Sequence, residues 1–259
     1  MRIAFTRAVS PKLPECELTH LDRVPIDAAK AIAQHDAYEA AFRDAGLEVI
    51  RLPDLPDHPD GTFVEDTALL LDGHAVILRP GVASRAAETQ STAAGLADYF
   101  ELHRLTDGHV DGGDVLRIGR KLYVGVSTRT DVRGVEALRA IVHDFGFDVV
   151  QARVDACLHL KSATTLAGPG SSGPPVLLFN PDCIDASQFD GVEPFAVDRD
   201  EEHASNVVRA GDHLIIPAGN PKAVSKLRER GFRIIEVDVS ELQKAEAGVT
   251  CMSLIDERN

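Results

Sequence analysis

One pattern recurs along this 259-residue chain and constrains its fold more than any other feature. Five short apolar segments each follow a helical or loop stretch and each read as a strand. They begin at Leu47, Phe100, Asp148, Val192 and Arg233, at intervals of 53, 48, 44 and 41 residues. Interleaved with them are paired apolar runs around two-residue turns of the hairpin type. Ala68–Leu71 and Ala75–Leu78 flank Asp72-Gly73; Val115–Ile118 and Lys121–Val124 flank Gly119-Arg120; Val207–Ala210 and His213–Ile216 flank Gly211-Asp212. The turns lie 47 and 92 residues apart, so a further hairpin belongs near residue 165. There Thr165-Leu166-Ala167 and Val176–Phe179 flank a longer loop, Gly168 to Pro175. Helical spacing fills the gaps. Ala31, His35, Tyr38 and Phe42 share one face, as do Val135, Leu138, Val142 and Phe145, with Asp131 placed to cap. Asn220-Pro221 opens a third helix and Gly231 closes it. Each unit therefore reads hairpin, helix, strand.

Five such units cannot each bury an apolar face alone, so they must pack on one another in a ring or an open stack. The ends favour a ring. A lone strand over Arg2–Val9 and another over Thr250–Ile255 together supply the hairpin that the first unit lacks. The expected architecture is a single α/β domain over residues 1–259, a five-bladed α/β propeller of ββαβ repeats closed by its terminal strands. A plain doubly wound sheet is the alternative.

Composition narrows the function classes. Apolar residues make up 44% of the chain, enough for a packed core. The net charge of −14 gives nucleic acid or an anionic membrane no counterion-release affinity and suits a small cationic ligand better. No apolar run approaches the roughly 20 residues of a membrane helix. The start, Met1-Arg2-Ile3-Ala4-Phe5, does not read as a secretory signal. Cys16, Cys157, Cys183 and Cys251 lie far apart with no C-x-x-C spacing, which argues against a disulfide framework or a structural zinc site. A reducing cytoplasm is the expected setting, and a monomer or a homodimer the expected state.

Three polar clusters precede hairpins: Asp60 to Asp66, His109 to Asp114, and Leu158 to Ser162. All occupy the same place in the repeat, and Cys251 opens the closing strand. In a ring, equivalent positions gather at one mouth. Read singly, Glu65-Asp66 suits a solvated turn, and Asp111-Gly112-Gly113-Asp114 suits turn chemistry. His159 suits a hydrogen-bonded core histidine, and Cys251 an inert small hydrophobe. Their convergence is what points to chemistry.

The stretches Phe63-Val64-Glu65-Asp66-Thr67, Arg79-Pro80-Gly81 with Ser84-Arg85, and Asp111 to Leu116 are similar to those of one enzyme family. So are Ser127-Thr128-Arg129-Thr130, Leu158-His159-Leu160-Lys161-Ser162, Ile216-Pro217-Ala218-Gly219 and Thr250 to Leu254. The chain resembles the dimethylarginine dimethylaminohydrolase family of the guanidine-modifying (pentein) superfamily, nearly end to end and with the motifs in matching order. The resemblance implies the five-bladed propeller. It implies Cys251 as nucleophile, His159 as general acid and base, and Asp111 as third catalytic carboxylate. Asp66, with Glu65 beside it, would grip the guanidinium. Asp60 and the backbone of Leu18 would hold the substrate amine, and Arg85 and Arg129 its carboxylate. Ala245 would supply a backbone contact, although Lys244-Ala245-Glu246-Ala247-Gly248 departs from the family's usual pattern. Residues 10–25 correspond to a lid loop.

These residue types suit attack on a guanidinium carbon, a poor electrophile. A thiolate is a strong nucleophile, and carboxylates accept paired N–H bonds from the planar fork. The same carboxylates oppose ionisation of Cys251, so a neutral thiol is expected in the empty site. No cofactor is expected and no metal is required, while zinc at Cys251 and His159 would inhibit. The competing expectations are a deiminase-like enzyme of the same superfamily, which should carry a helical insertion, and a non-catalytic propeller that binds a partner.

Overall fold

The computed structural model describes residues 2–154, 157–256 and 258. Strand β1 (Ile3–Thr6) leads through helix α1 (Ala28–Asp44) to β2 (Glu48–Arg51), which pairs with β1 in parallel. Four units follow. The first is β3 (Ala68–Leu71), β4 (His74–Ile77), α2 (Glu88–Leu96) and β5 (Glu101–Arg104). The second is β6 (Val115–Ile118), β7 (Lys121–Gly125), α3 (Val132–His143) and β8 (Asp148–Ala152). The third begins after the one-turn helix α4 (Leu160–Ala163) with β9 (Thr164–Pro169), β10 (Pro175–Phe179) and β11 (Glu193–Ala196). The fourth is β12 (Val208–Ala210), β13 (His213–Pro217), α5 (Pro221–Glu229) and β14 (Arg233–Val237). A short helix α6 (Ser240–Gln243) precedes β15 (Leu254–Asp256), which pairs antiparallel with β1. The result is an α/β fold of five three-stranded mixed sheets. In each, the middle strand pairs antiparallel on one side and parallel on the other.

Local chemistry sets these elements. Asp72 and Gly73 have φ of 48° and 104°, the left-handed pair that a tight hairpin turn requires. Asp27 caps α1 by accepting from Lys30 N, and Asp131 caps α3 by accepting from Gly134 N. Ala31, His35, Tyr38 and Phe42 are all buried on α1. Middle strands are buried and outer parallel strands half-exposed, as in β4 against β5.

Apolar clusters bridge the sheets pairwise. Ile3 and Phe5 of β1 pack with Ala75 and Ile77 of β4; Val76 packs with Val115 and Leu122; Leu116 and Tyr123 pack with Leu177. Leu178 packs with Leu214 and Ile216, and Ile215 packs with Ala4. Each buried Val, Leu, Ile or Phe among them contributes about 1.5–3 kcal/mol.

Three expectations need correction. The third hairpin unit has no α-helix before its outer strand: only a turn at Ala186–Gln188 fits between Phe179 and Glu193. Phe145 lies past the end of α3, which stops at His143. Cys251 does not open a strand. It sits in a turn before β15, where Cys251 N bonds Gly248 O and Ser253 N bonds Thr250 O instead of joining a ladder. No helix among the described residues is long and apolar enough to cross a membrane.

Candidate active site

Each unit's first strand is preceded by a tight turn, and the polar clusters lie on these turns. Val64–Thr67 precedes β3, Gly112–Asp114 precedes β6, α4 precedes β9, and Gly248 to Ser253 precedes β15. The turns touch one another. Glu65 N donates to Cys251 O at 3.1 Å. A Cβ on Gly112 would meet Glu65 O at 1.9 Å, and one on Gly113 would meet Nδ1 of His159 at 2.6 Å. Only glycines allow this approach. Tyr38 pins the Cys251 turn from α1: its hydroxyl donates to Val249 O at 2.5 Å and accepts from Ser253 Oγ at 2.8 Å.

Asp111, His159 and Asp66 meet in the interior. Nε2 of His159 is 3.0 Å from Oδ2 of Asp111, whose Oδ1 accepts from Gly81 N at 2.7 Å. Asp66 accepts from Gly113 N at 2.9 Å and from Arg85 Nη1 at 2.6 Å. Glu65 pairs with Lys161 at 2.6 Å and accepts from Thr250 Oγ1 at 2.8 Å. Sγ of Cys251, half-buried, accepts from Gly248 N at 3.3 Å.

The charges are set by this packing. Burial disfavours a cationic His159, but Asp66, the hydrogen bond the ring donates to Asp111, and Asp114 outweigh it and raise the imidazole to about 9. Burial also opposes ionisation of Asp66, and His159 and Arg85 outweigh it, bringing the carboxyl to about 2. The Cys251 thiol is pushed up to about 12 by burial first and by Glu65 and Asp66 next. Asp60 rises to about 6 through burial, against the pull of Arg85.

The remaining expected residues have separate partners. Arg85 is buried, with its donors on both oxygens of Glu88, on Asp66 and on the carbonyl of Phe63. Arg129 donates to Thr19 Oγ1 at 2.9 Å. Asp60 accepts from Glu17 N at 3.2 Å, so half-buried Leu18 lies between two held residues, Glu17 and Thr19. Ala245 is 5% exposed in the apolar cluster under α1. The 10–25 segment includes a helical turn at Leu13–Glu15. Its Thr19, His20 and Leu21 N–H groups all donate to Glu246, at 2.5–2.9 Å.

Several positioning residues escape the sequence reading. Asn206 lies just past the turn before β12 and bonds Lys161 O, Thr250 Oγ1 and Thr250 N, so it ties two polar turns together. Asp114, read from the sequence only as part of a polar turn and given no role there, accepts from Leu160 N at 2.9 Å beside His159. Arg7, fully buried, donates to the carbonyls of Pro53 and Gly61 and so fixes the loop that carries Asp60. For Asn206 the repeat itself was the available signal, since it holds the fourth unit's equivalent place. Arg7 offered none. The donor atoms of Asp66, Asp111 and His159 lie within 4.8 Å of one another; no such group of three among the described residues includes Cys251.

Comparison with known proteins supplies the context for this arrangement. No family model matches the chain. The N(G),N(G)-dimethylarginine dimethylaminohydrolase of Streptomyces coelicolor is 36% identical over 253 residues, 97% of this chain and 95% of the relative. That of Pseudomonas aeruginosa is 32% identical over 231 residues, 88% of this chain and 89% of the relative. A solved structure of the Pseudomonas aeruginosa protein, a cysteine-to-serine variant complexed with citrulline, superposes with a TM-score of 0.90. It is 30% identical and covers 98% of each chain. With identity of this extent across nearly its whole length, the chain belongs to the dimethylarginine dimethylaminohydrolase family.

Proposed function

We propose that this chain hydrolyses N-omega-methylated arginine, releasing citrulline and dimethylamine or methylamine through a thiouronium on Cys251. The observation that carries the reading is the meeting of Asp66, Asp111 and His159 on turns bonded to the one that bears Cys251. Citrulline, the expected product, is the ligand in the Pseudomonas aeruginosa structure.

In the empty site at neutral pH, His159 is an imidazolium and Cys251 a neutral thiol. A substrate guanidinium brings a positive charge against Asp66, with Glu65 beside it. That charge favours thiolate, and the thiol proton leaves to solvent. Sulfur then attacks the guanidinium carbon and a C–S bond forms. His159 gives its proton to the methylated nitrogen as the C–N bond breaks. Asp111, bonded to the ring, holds its orientation. Water next attacks the thiouronium, His159 takes a proton from it, and the C–S bond breaks to leave citrulline and Cys251.

Asp60 and the Leu18 backbone serve the α-amine and Ala245 lends a backbone contact. Arg129 serves the α-carboxylate, with Arg85 contributing the Nη1 hydrogen left after Glu88, Asp66 and Phe63 are served. The test is citrulline formation from asymmetric dimethylarginine by the native chain and by Cys251→Ser. The variant is expected to lose at least about a thousandfold in kcat. Undiminished turnover by the serine variant, or equal turnover of unmethylated arginine, would sink the assignment. Mass spectrometry of a quenched reaction should find an adduct on Cys251, which a non-catalytic binding protein would lack.

The same reading covers the whole chain as one catalytic domain with its lid at residues 10–25, active without cofactor as a cytoplasmic monomer or homodimer. Its five sheets form a closed five-bladed propeller, supported by the unbroken series of apolar clusters from β1 back to β1. Zinc held by Cys251 and His159 would inhibit by occupying nucleophile and acid together.

A further inference from the structure

The second sheet carries a side-chain cluster that this chemistry does not use. His74 opens β4 and is in register with Glu101 at the start of β5; His103 lies two residues along β5, on the same face as Glu101. Nδ1 of His74 is 3.1 Å from Nε2 of His103 and 3.5 Å from Oε2 of Glu101. Nε2 of His103 is 3.7 Å from Oε1 of Glu101. The ring of Phe145 stacks on His74 at 4.1 Å and 2°, and lies 4.6 Å from His103, which holds both imidazoles from one side.

Hydrogen bonding does not account for the set. One hydrogen bond joins the facing imidazole nitrogens, and the carboxylate, at 3.5 and 3.7 Å, lies too far for a good bond to either. The separations are close to the edges of a coordination tetrahedron, with the carboxylate turning one oxygen toward each imidazole. Two ligand atoms each about 2.1 Å from zinc sit about 3.4 Å apart at the tetrahedral angle. The geometry points to a divalent metal site of the zinc class, formed by His74 Nδ1, His103 Nε2 and the Glu101 carboxylate, with water in the fourth position. Two imidazoles and one carboxylate favour zinc, copper or nickel over magnesium or calcium. The site is open to an arriving ion: the side chains of His74, His103 and Glu101 are 28%, 25% and 69% exposed. It lies at the hairpin-turn end of β4, while Val64–Thr67 adjoins the other end, where Ile77 pairs with Ala68. The ion therefore clamps β4 to β5 and takes no part in the reaction.

The test is a calorimetric titration of the Cys251→Ser chain with zinc alone, the substitution removing a competing thiol. About one equivalent should bind, with magnesium and calcium giving no heat, and cobalt should give the intense visible absorption of a tetrahedral site. Saturating zinc should raise Tm by about 5 °C. His103→Ala and, separately, the isosteric Glu101→Gln should each weaken zinc binding at least about tenfold. In a Cys251 background, His103→Ala should form citrulline at the parent rate in chelator. Absence of zinc binding in Cys251→Ser, or undiminished binding in both cluster variants, would overturn the proposal.

Discussion

His159 is governed by opposing influences, and the carboxylates prevail over burial. Its burial disfavours charge, yet Asp66, Asp111 and Asp114 hold the ring cationic up to about pH 9. Asp66 is the largest of the favourable influences, so Asp66→Asn should bring the imidazole titration down toward the ordinary value of about 6.5, as read by NMR of the ring. The same variant leaves Arg85 with Glu88 but without its second carboxylate, and should cost about 3 kcal/mol of stability. A ring that still titrates near 9 would mean that Asp111 and Asp114 suffice. Cys251 gives a second residue-scale expectation. Its thiol is held to about 12 by burial and two acids, so ultraviolet thiolate absorbance at neutral pH should appear only when a cationic ligand is bound. A signal independent of ligand would refute substrate-assisted ionisation.

At the scale of elements, the 10–25 segment proposed as a lid is latched through a residue of unusual backbone. Glu246 has φ of 59°, and its carboxylate accepts from the N–H groups of Thr19, His20 and Leu21. Three successive amides around one anion form a nest, and removing the anion leaves them to water. Glu246→Ala should speed amide exchange at residues 19–21 and raise KM about tenfold, equivalent to about 1.4 kcal/mol, with kcat nearly unchanged. Equal exchange in both proteins would show that Arg129 and Asp60 hold this segment unaided. This latch was not legible in the sequence, because it joins residues more than 220 positions apart through a side chain in a segment that departs from the family pattern. The hairpins were legible, because Asp72-Gly73 and its counterparts state their turn geometry locally. The polar turns were legible through their repeat position. The turn that holds Cys251 was not: Thr250–Ile255 reads as a short closing strand, and the bonds of Cys251 N to Gly248 O and of Ser253 N to Thr250 O, formed in the packed chain, divert its first residues into a turn. Likewise, the commitment of Arg85 to Glu88 follows from burial, which a motif does not express.

For the whole molecule, two buried histidines shift in opposite directions and together shape stability against pH. His35, packed on α1 with Nε2 lacking a partner among the described residues, is lowered to about 4, chiefly by burial. Its unfolded form binds a proton below about 6.5 and the folded form does not, so stability falls as pH drops from 6.5 toward 4. His159 runs the other way. Its folded pKa lies above the unfolded value, so its contribution is complete below about 6.5 and is lost as pH rises through 9. The two histidine contributions therefore combine to favour stability near pH 6.5. Each arm should lose about 2 kcal/mol over 1.5 pH units. Asp60, raised to about 6, opposes the acid arm below that pH, since its folded form binds the proton more readily. The difference between native and variant chains isolates each histidine from such background. Urea unfolding at pH 5, 6.5 and 8.5 is expected to show the acid arm flattened in His35→Leu alone and the alkaline arm flattened in His159→Asn alone. If His35→Leu kept the native acid loss, the carboxylates would be its source; if His159→Asn kept the alkaline loss, the imidazolium assigned to the empty site would not exist.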